Sequence, residues 1–450
     1  MKAMRPTSKS RMKPARNRRV VFIAFPFPPS RGAGVYRTVA TVNFLISEGW
    51  DVTVIAPEES YFRRYQGSED LSLLSWVSPS AKVVRVPLNN WARNHNLADF
   101  SMFRAAFPRV GQRWIKTLTK YLSPLEGYPF WLFPSLAAGL RSSVRGRPDV
   151  ILATGNPFNS FVVAAALGRL MRTPYVLDYR DAWTFDQFTG DLKPGAADVA
   201  LSLEGRVLAR SAGVVSVNDA ILTRLRDSHA LDASVPTVVA ENGYDREFGS
   251  NSKPSGRRDG AEARFVHVGT LVPGKMDWPA VLGEFDMTAK QMDLPVSLDI
   301  YGHLGFSREQ ARGLTHLFES SSVVRYKGAI ERHSVAALYD DADALYLPLY
   351  DSPFVTSGKI YEMMATGKPI LAWGSRTAGA MVPLGGYPKL IRASRSQPKT
   401  WARAMRAAIE LARGESPVLD ERALAYASRY ERVEQLRPLG ALLQKVARKP

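Results

Sequence analysis

The 450-residue sequence predicts an α/β protein made of two doubly wound, Rossmann-like domains. Three observations predict it. Short runs of aliphatic and β-branched residues recur along the chain, and segments with helical spacing separate most of them. The runs are continuously apolar rather than alternating, which is the pattern of parallel strands covered on both faces. Near residue 255 the polar stretch NSKPSGRRDGAEA interrupts the rhythm, which then restarts.

Residues 1–19, MKAMRPTSKSRMKPARNRR, are basic with no apolar core, so they read as a disordered arm and not as a secretory signal. VVFIAFPF follows as the first strand, then the glycine-rich loop SRGAGVYR. The next segment, YRTVATVNFLISEG, places Val39, Val42, Leu45 and Ile46 at helical spacing, and Gly49 ends it. DVTVIAP, AKVVRVPL, DVILATG, PYVLDYRD, GVVSVN and PTVVAEN are the further strands of an N-terminal domain spanning 20–250, with a helical insertion at about 90–147. After a linker at 251–262, RFVHVGTL, VSLDIYG, SVVRYKG, ALYLPLY, KPILAWG and KLIRAS supply the strands of a second domain, 263–429, closed by one long Ala/Arg-rich helix. Residues 430–450 form a terminal segment. In such folds ligands bind beyond the carboxyl ends of the strands, and two facing domains share one cleft.

The chain has no cysteine, which removes disulfides, thiolate metal sites and thiol nucleophiles and favours a reducing compartment. No apolar run reaches membrane-spanning length; FVVAAALGRLM is broken by Arg169. A formal net charge of +18 points to nucleic acid, a membrane surface or anionic substrates. From Ala81 to Pro148 eleven Lys or Arg stand against Asp99 and Glu126 alone, among aromatics that include Trp91, Phe100, Phe103, Phe107, Trp114, Tyr121, Tyr128, Phe130, Trp131 and Phe133. This mixture suits an anionic membrane surface; a helical insertion whose aromatics are core is the alternative. A basic nucleic-acid-binding protein would also account for the charge, but no recognised binding module is present.

Within SGKIYEMMATGKPIL, residues 357–371, Lys359 opens a helix at the end where cations are disfavoured. A docked anion would reconcile it, with Glu362 one turn further in on the same face and Ile360, Met363 and Met364 on the core side. A P-loop reading fails, because Pro353 stands at the earlier glycine and Ile360 at the magnesium-binding hydroxyl. In the first loop a G-x-G-x-x-G count from Gly32 and Gly34 puts Arg37 at the third glycine, which disfavours a nicotinamide enzyme; Glu58, as a ribose-binding acid, keeps that alternative open. No compact His/acid spacing appears among the six histidines, so no protein-bound metal is expected.

SGKIYEMMATGKPILAWG closely resembles the nucleotide-sugar signature of glycosyltransferase family 4, whose members are retaining enzymes of GT-B architecture. SRGAGVYR, RPDVILATGNPFNSFVVAAALGRLMRTPYVLDYRDAW, RSAGVVSVND, VVAENGYD and FVHVGTLVPGK resemble further blocks of that family in the same order, together covering most of residues 20–415. The Asp-x-Arg-Asp-x-Trp block is typical of bacterial members in surface-polysaccharide assembly. The resemblance implies sugar transfer from a UDP- or GDP-linked donor to a sugar, polysaccharide or lipid-linked acceptor, with no cofactor and no nucleic-acid partner, in the cytoplasm or on the inner membrane face. It implies that Glu362 binds the ribose, that Ser357, Gly358, Lys359 and Lys275 meet the diphosphate, and that Tyr326 and Lys327 frame the base. Gly32 and Gly34 would let the backbone approach the donor, and the N-terminal domain would face the acceptor with Asp178, Arg180 and Asp181. The tail from about Tyr430 would cross back over the first domain.

Two departures stand out. Phe354 occupies the position of the first acid of the family's E-x7-E pair, and Thr270, in the donor-binding set, stands where many members place an arginine. A different GT-B enzyme, such as a nucleotide-sugar epimerase, is the alternative within enzymes. Simpler readings also exist: Glu362 pairing with Lys359, Lys275 as an incidental loop cation, Asp178 and Asp181 pairing near Arg180. Glu204 reads as a surface residue.

Overall fold

The computed structural model describes residues 17–448 apart from 67–68, 89–101, 103–105, 126–127, 145, 196, 229–230, 247–261, 273, 305–307 and 395–398. The arm before residue 17 and nearly all of the expected linker lie outside the described residues. The first sheet has seven strands, β1 (Arg19–Ile23), β2 (Asp51–Pro57), β3 (Lys82–Val86), β4 (Val150–Thr154), β5 (Tyr175–Tyr179), β6 (Gly213–Ser216) and β7 (Thr237–Val239), in the order β3-β2-β1-β4-β5-β6-β7. The second has six: β8 (Ala263–Val268), β9 (Val296–Tyr301), β10 (Val324–Gly328), β11 (Ala344–Pro348), β12 (Ile370–Trp373) and β13 (Leu390–Ala393), in the order β10-β9-β8-β11-β12-β13. Pairings such as β1 with β2 and β4, or β8 with β9 and β11, are parallel. Both sheets are doubly wound, and each of the thirteen strands coincides with one of the apolar runs.

The chain divides into two compact units, residues 1–178 with 210–214 and 440–450, and residues 179–209 with 215–439. In the second, an aromatic cluster lies behind the sheet: Phe265 packs edge-on to Phe285, which meets Tyr346 and Trp401. Such ring pairs contribute about 0.5–1.5 kcal/mol each beyond area burial. A single closing helix is expected for the second domain, and two are present there, Lys399–Arg413 and Pro417–Ser428, while the terminal segment forms the helix Arg432–Val446. Gly414 and Pro417 explain the first break, since proline starts a helix readily but cannot continue one.

The basic, aromatic insertion divides its aromatics between the two readings. Trp131 is fully buried and its indole N–H donates to Ser160, while Tyr128 packs on Phe25. On the helix Pro108–Leu122 and at its start the opposite holds: Phe107, Val110, Trp114 and Tyr121 are all exposed. Arg109, Arg113, Lys116 and Lys120 form a second stripe on this helix, which carries no acidic residue. Trp91, Phe100 and Phe103 lie outside the described residues.

Candidate active site

The SGK stretch forms a short helix, Lys359–Ala365, after the loop that leaves β11. Ile360, Tyr361, Met363 and Met364 are buried against Val266 and Leu345, which anchors the helix to the sheet. Gly367, at φ +69, ends the segment in the left-handed region. The first turn is partly satisfied from within: Lys359 N–H donates to Ser357 Oγ at 3.4 Å and Ile360 N–H to the Ser357 carbonyl at 3.3 Å. The side chains, rather than the seven-residue helix itself, therefore carry the site.

Thr270, Ser357 and Lys359 line one small cavity of about 40 Å³ together with His267, Trp278 and Tyr350. Among the described residues, no hydrogen bond or ion pair reaches the Lys359 ammonium, and burial lowers its pKa from the ordinary lysine value to about 8, with Glu362 opposing the shift. Gly269 makes room for this cation, since a Cβ there would collide with Lys359 Nζ and lie 3.5 Å from His267 Nε2.

Glu362 is buried, and its partner is Arg332 rather than Lys359: Arg332 Nη1 donates to Oε2 at 2.9 Å and Nη2 donates to Oε1. Glu362 does not line the cavity that holds Lys359. At the end of β10, Tyr326 stacks on Phe318 with centroids 5.2 Å apart and donates to the Gly302 carbonyl at 2.8 Å. Lys327 Nζ lies 3.9 Å from Asp299. Lys275 is engaged by Asp186 at 2.9 Å and sits 4.6 Å above the Phe188 ring. Phe354, at the missing acid, packs on Phe185 at 4.9 Å, and its carbonyl accepts from Asn218 at 2.9 Å.

In the first unit Gly32 and Gly34 lead into the helix Gly34–Ser47, and Gly32 N–H donates to Ser30 Oγ at 3.3 Å. The next turn holds a residue whose role the sequence reading missed. Arg37 is buried and grips Asp178 with both arms, Nε to Oδ2 at 3.0 Å and Nη2 to Oδ1 at 2.7 Å. Thr154 Oγ1 donates to the same carboxylate at 3.1 Å. Asp178 is thus a closed, buried partner, while Arg180 pairs with Asp181 at 3.1 Å. An arginine where the glycine pattern fails, between apolar helix positions, was the available signal.

Glu204 corrects the surface reading. It is 1% exposed and accepts from Tyr179 Oη at 3.0 Å and Thr184 Oγ1 at 2.7 Å. Burial raises its pKa to about 7, partly offset by those two hydroxyls and by Lys193. Its spacing in LSLEGRVLARSAG looked amphipathic, and the loop that covers it was invisible locally. Among the described residues, no group of three or more His, Asp or Glu side chains converges as a metal-ligand set.

Two parallel sheets in these strand orders form the GT-B architecture, with a cation-bearing cavity at the ends of the second. Residues 31–243 match the family model described as a glycosyl transferase 4-like domain, which is consistent with a glycosyltransferase of the family 4 type. Sucrose-phosphate synthase from Thermosynechococcus elongatus superposes with a TM-score of 0.61 at 14% identity, covering 95% of this chain and 99% of the other. HepE from Anabaena, in complex with UDP, gives 0.61 at 16%, covering 95% and 100%. TarM gives 0.61 at 10%, covering 94% and 98%. Among curated proteins no sequence matches this chain. Among the described residues no helix is long and apolar enough to cross a membrane.

Proposed function

We propose that the protein moves a sugar from a nucleoside-diphosphate donor to an acceptor hydroxyl with retention, in bacterial surface-polysaccharide or glycoconjugate assembly. The observation that carries the donor reading is the Lys359 ammonium, held in a cavity without a counter-ion among the described residues. A diphosphate is the natural complement, and Ser357 offers a hydroxyl beside it. Glu362 takes the ribose: an ionised carboxylate has about four acceptor sites, of which the Arg332 fork uses two. Arg332 thereby orients the acid for two vicinal hydroxyls.

Chemistry in this reading rests on positioning and charge stabilisation at the departing diphosphate, by Lys359 with Lys275, and needs no protein nucleophile. The leaving oxygen takes the acceptor proton on the same face of the sugar, which accounts for retention. Asp178, fully occupied by Arg37, supports the acceptor side through the backbone it holds rather than as a base. Asp181 is the acid of that block left for direct acceptor contact. UDP is the first donor base to try, because HepE was captured with it. Thermal shift with UDP, GDP and UDP-glucose tests the reading: ligand at 100 times Kd raises stability by about 2.7 kcal/mol. Glu362→Ala should erase that shift, and a chain insensitive to all these probes would refute the donor site.

The helix Pro108–Leu122 favours an anionic membrane face as the place of work. Its exposed Phe107, Val110, Trp114 and Tyr121 lie beside four cations with no acid on the helix. Apolar rings at the headgroup boundary and cations on the phosphates are complementary to such a surface. Flotation with phosphatidylglycerol vesicles should show binding that salt weakens and that Trp114→Ala with Arg113→Gln and Lys116→Gln removes. Equal flotation with neutral phosphatidylcholine vesicles, or none with either, rejects it.

A further inference from the structure

The cavity that holds Lys359 also contains a buried group that the donor reading leaves unused. His267 lies on β8, 5% exposed, with its ring against Trp278 at 5.8 Å and Tyr346 at 6.5 Å. Its Nδ1 sits 3.1 Å from the Tyr346 carbonyl oxygen. A carbonyl can only accept, so Nδ1 carries the hydrogen and Nε2 is left with a bare lone pair. Among the described residues Nε2 has no hydrogen-bond partner. A buried acceptor left unmade costs about 1–3 kcal/mol, so its retention beside a site calls for an explanation.

Glycine supplies the geometry. Lys359 Nζ and His267 Nε2 abut the same vacant Cβ position at Gly269, one from the helix after β11 and the other from β8. Gly302 at the end of β9 closes the far side, since a Cβ there would strike the Gly269 carbonyl. Of the titratable groups among the described residues that line the cavity or act on the ammonium, Glu362 is held by Arg332, and Tyr350 on the cavity wall is neutral, its pKa raised by burial.

We propose that His267 is a positioning residue for Lys359: its Nε2 lone pair faces the ammonium across the glycine gap and keeps that cation charged and aimed into the cavity. The inference takes its ligand, a nucleoside diphosphate, from the donor reading above, but the placement of both groups beside Gly269 does not depend on a ligand. A neutral imidazole suits the task, because an acid would neutralise the charge a diphosphate needs and an apolar ring would strand it. Burial first, and the nearby Lys359 second, depress the His267 pKa to about 3, so it stays an acceptor throughout the working range.

The test reads Lys359 directly in the ligand-free protein, by NMR of 13C-labelled lysine side chains assigned with Lys359→Arg. The wild-type amine should titrate near pH 8. His267→Phe, which keeps a ring and removes the acceptor, should lower that midpoint by about one unit, and His267→Gln, which restores an acceptor near Nε2, should return it. In the same protein, affinity for UDP at pH 7.5 should weaken about threefold with Phe and recover with Gln, following the protonated fraction. A purely structural histidine would alter melting and leave the Lys359 midpoint in place, which overturns the proposal. If His267→Phe does not fold, 15N shifts of the wild-type imidazole decide: Nε2 must be unprotonated and must respond as Lys359 titrates, and a protonated or unresponsive Nε2 refutes the pairing. A responsive pair with no UDP binding would sink the donor reading and leave this one standing.

Discussion

Two cations, Arg37 buried and Lys359 half-buried, treat their charge in opposite ways. Arg37 in the first unit is closed: both arms of its guanidinium rest on Asp178, whose third hydrogen bond comes from Thr154. Lys359 in the second unit has no counter-ion among the described residues, and the nearest acid belongs to Arg332. A planar fork suits a permanent carboxylate partner, while a compact ammonium with three rotatable donors suits a transient one. The first arrangement holds a fold together, and the second keeps a vacancy for an anion.

The comparison breaks most visibly at Arg37. Arg37→Ala leaves the Asp178 carboxylate buried without its partner and should destabilise the protein by about 3–5 kcal/mol, read by urea denaturation. Replacing both, as Arg37→Met with Asp178→Leu, should recover most of that loss. A single variant within 1 kcal/mol of wild type would show that the pair is not the closure described here.

Lys359 should respond with the opposite sign. Its folded pKa is about 8 against an unfolded value near 10.5, so below pH 8 the chain carries the full cost of burying the charge. Between pH 8 and 10.5 the unfolded state binds the extra proton, and stability rises with pH across that window. Lys359→Met should therefore be more stable than wild type at pH 7, by up to about 3 kcal/mol, and the gain should vanish above about pH 10.5. The same variant should lose its thermal response to UDP. A destabilised variant at pH 7 would mean that the ammonium has a counter-ion and that the contrast with Arg37 is false.

Legibility followed the range of the interactions. All thirteen strands were readable because buried parallel strands are written locally as apolar runs. Glu362 and Lys359 were readable as a motif, but their surroundings were not: Arg332, which grips Glu362, lies 30 positions before it, and His267, which shares the cavity with Lys359, comes from β8. Arg37 with Asp178, 141 positions apart, was hidden for the same reason. Glu204 went the other way, since a charge in an amphipathic-looking helix suggests water until the hydroxyls of Tyr179 and Thr184 are brought onto it.

Lys275 falls between the two extremes and should give the smallest effect. It has a carboxylate partner, Asp186, and an aromatic floor, Phe188, but about a third of both charged side chains stays exposed. Burial alone would raise the Asp186 pKa; the Lys275 hydrogen bond and the Phe188 N–H outweigh it and bring it below the usual value. An exposed pair of this kind is worth about 0–1 kcal/mol, so Lys275→Ala should barely move the urea midpoint. Ligand binding separates its roles. A diphosphate must compete with Asp186 for the ammonium, so Asp186→Asn should tighten UDP binding by about two- to fivefold, within the free energy of such a pair, while Lys275→Ala weakens it. If Asp186→Asn weakens UDP binding instead, the carboxylate is orienting Lys275 for the ligand rather than competing with it, and Lys275 joins Lys359 as a supported cation.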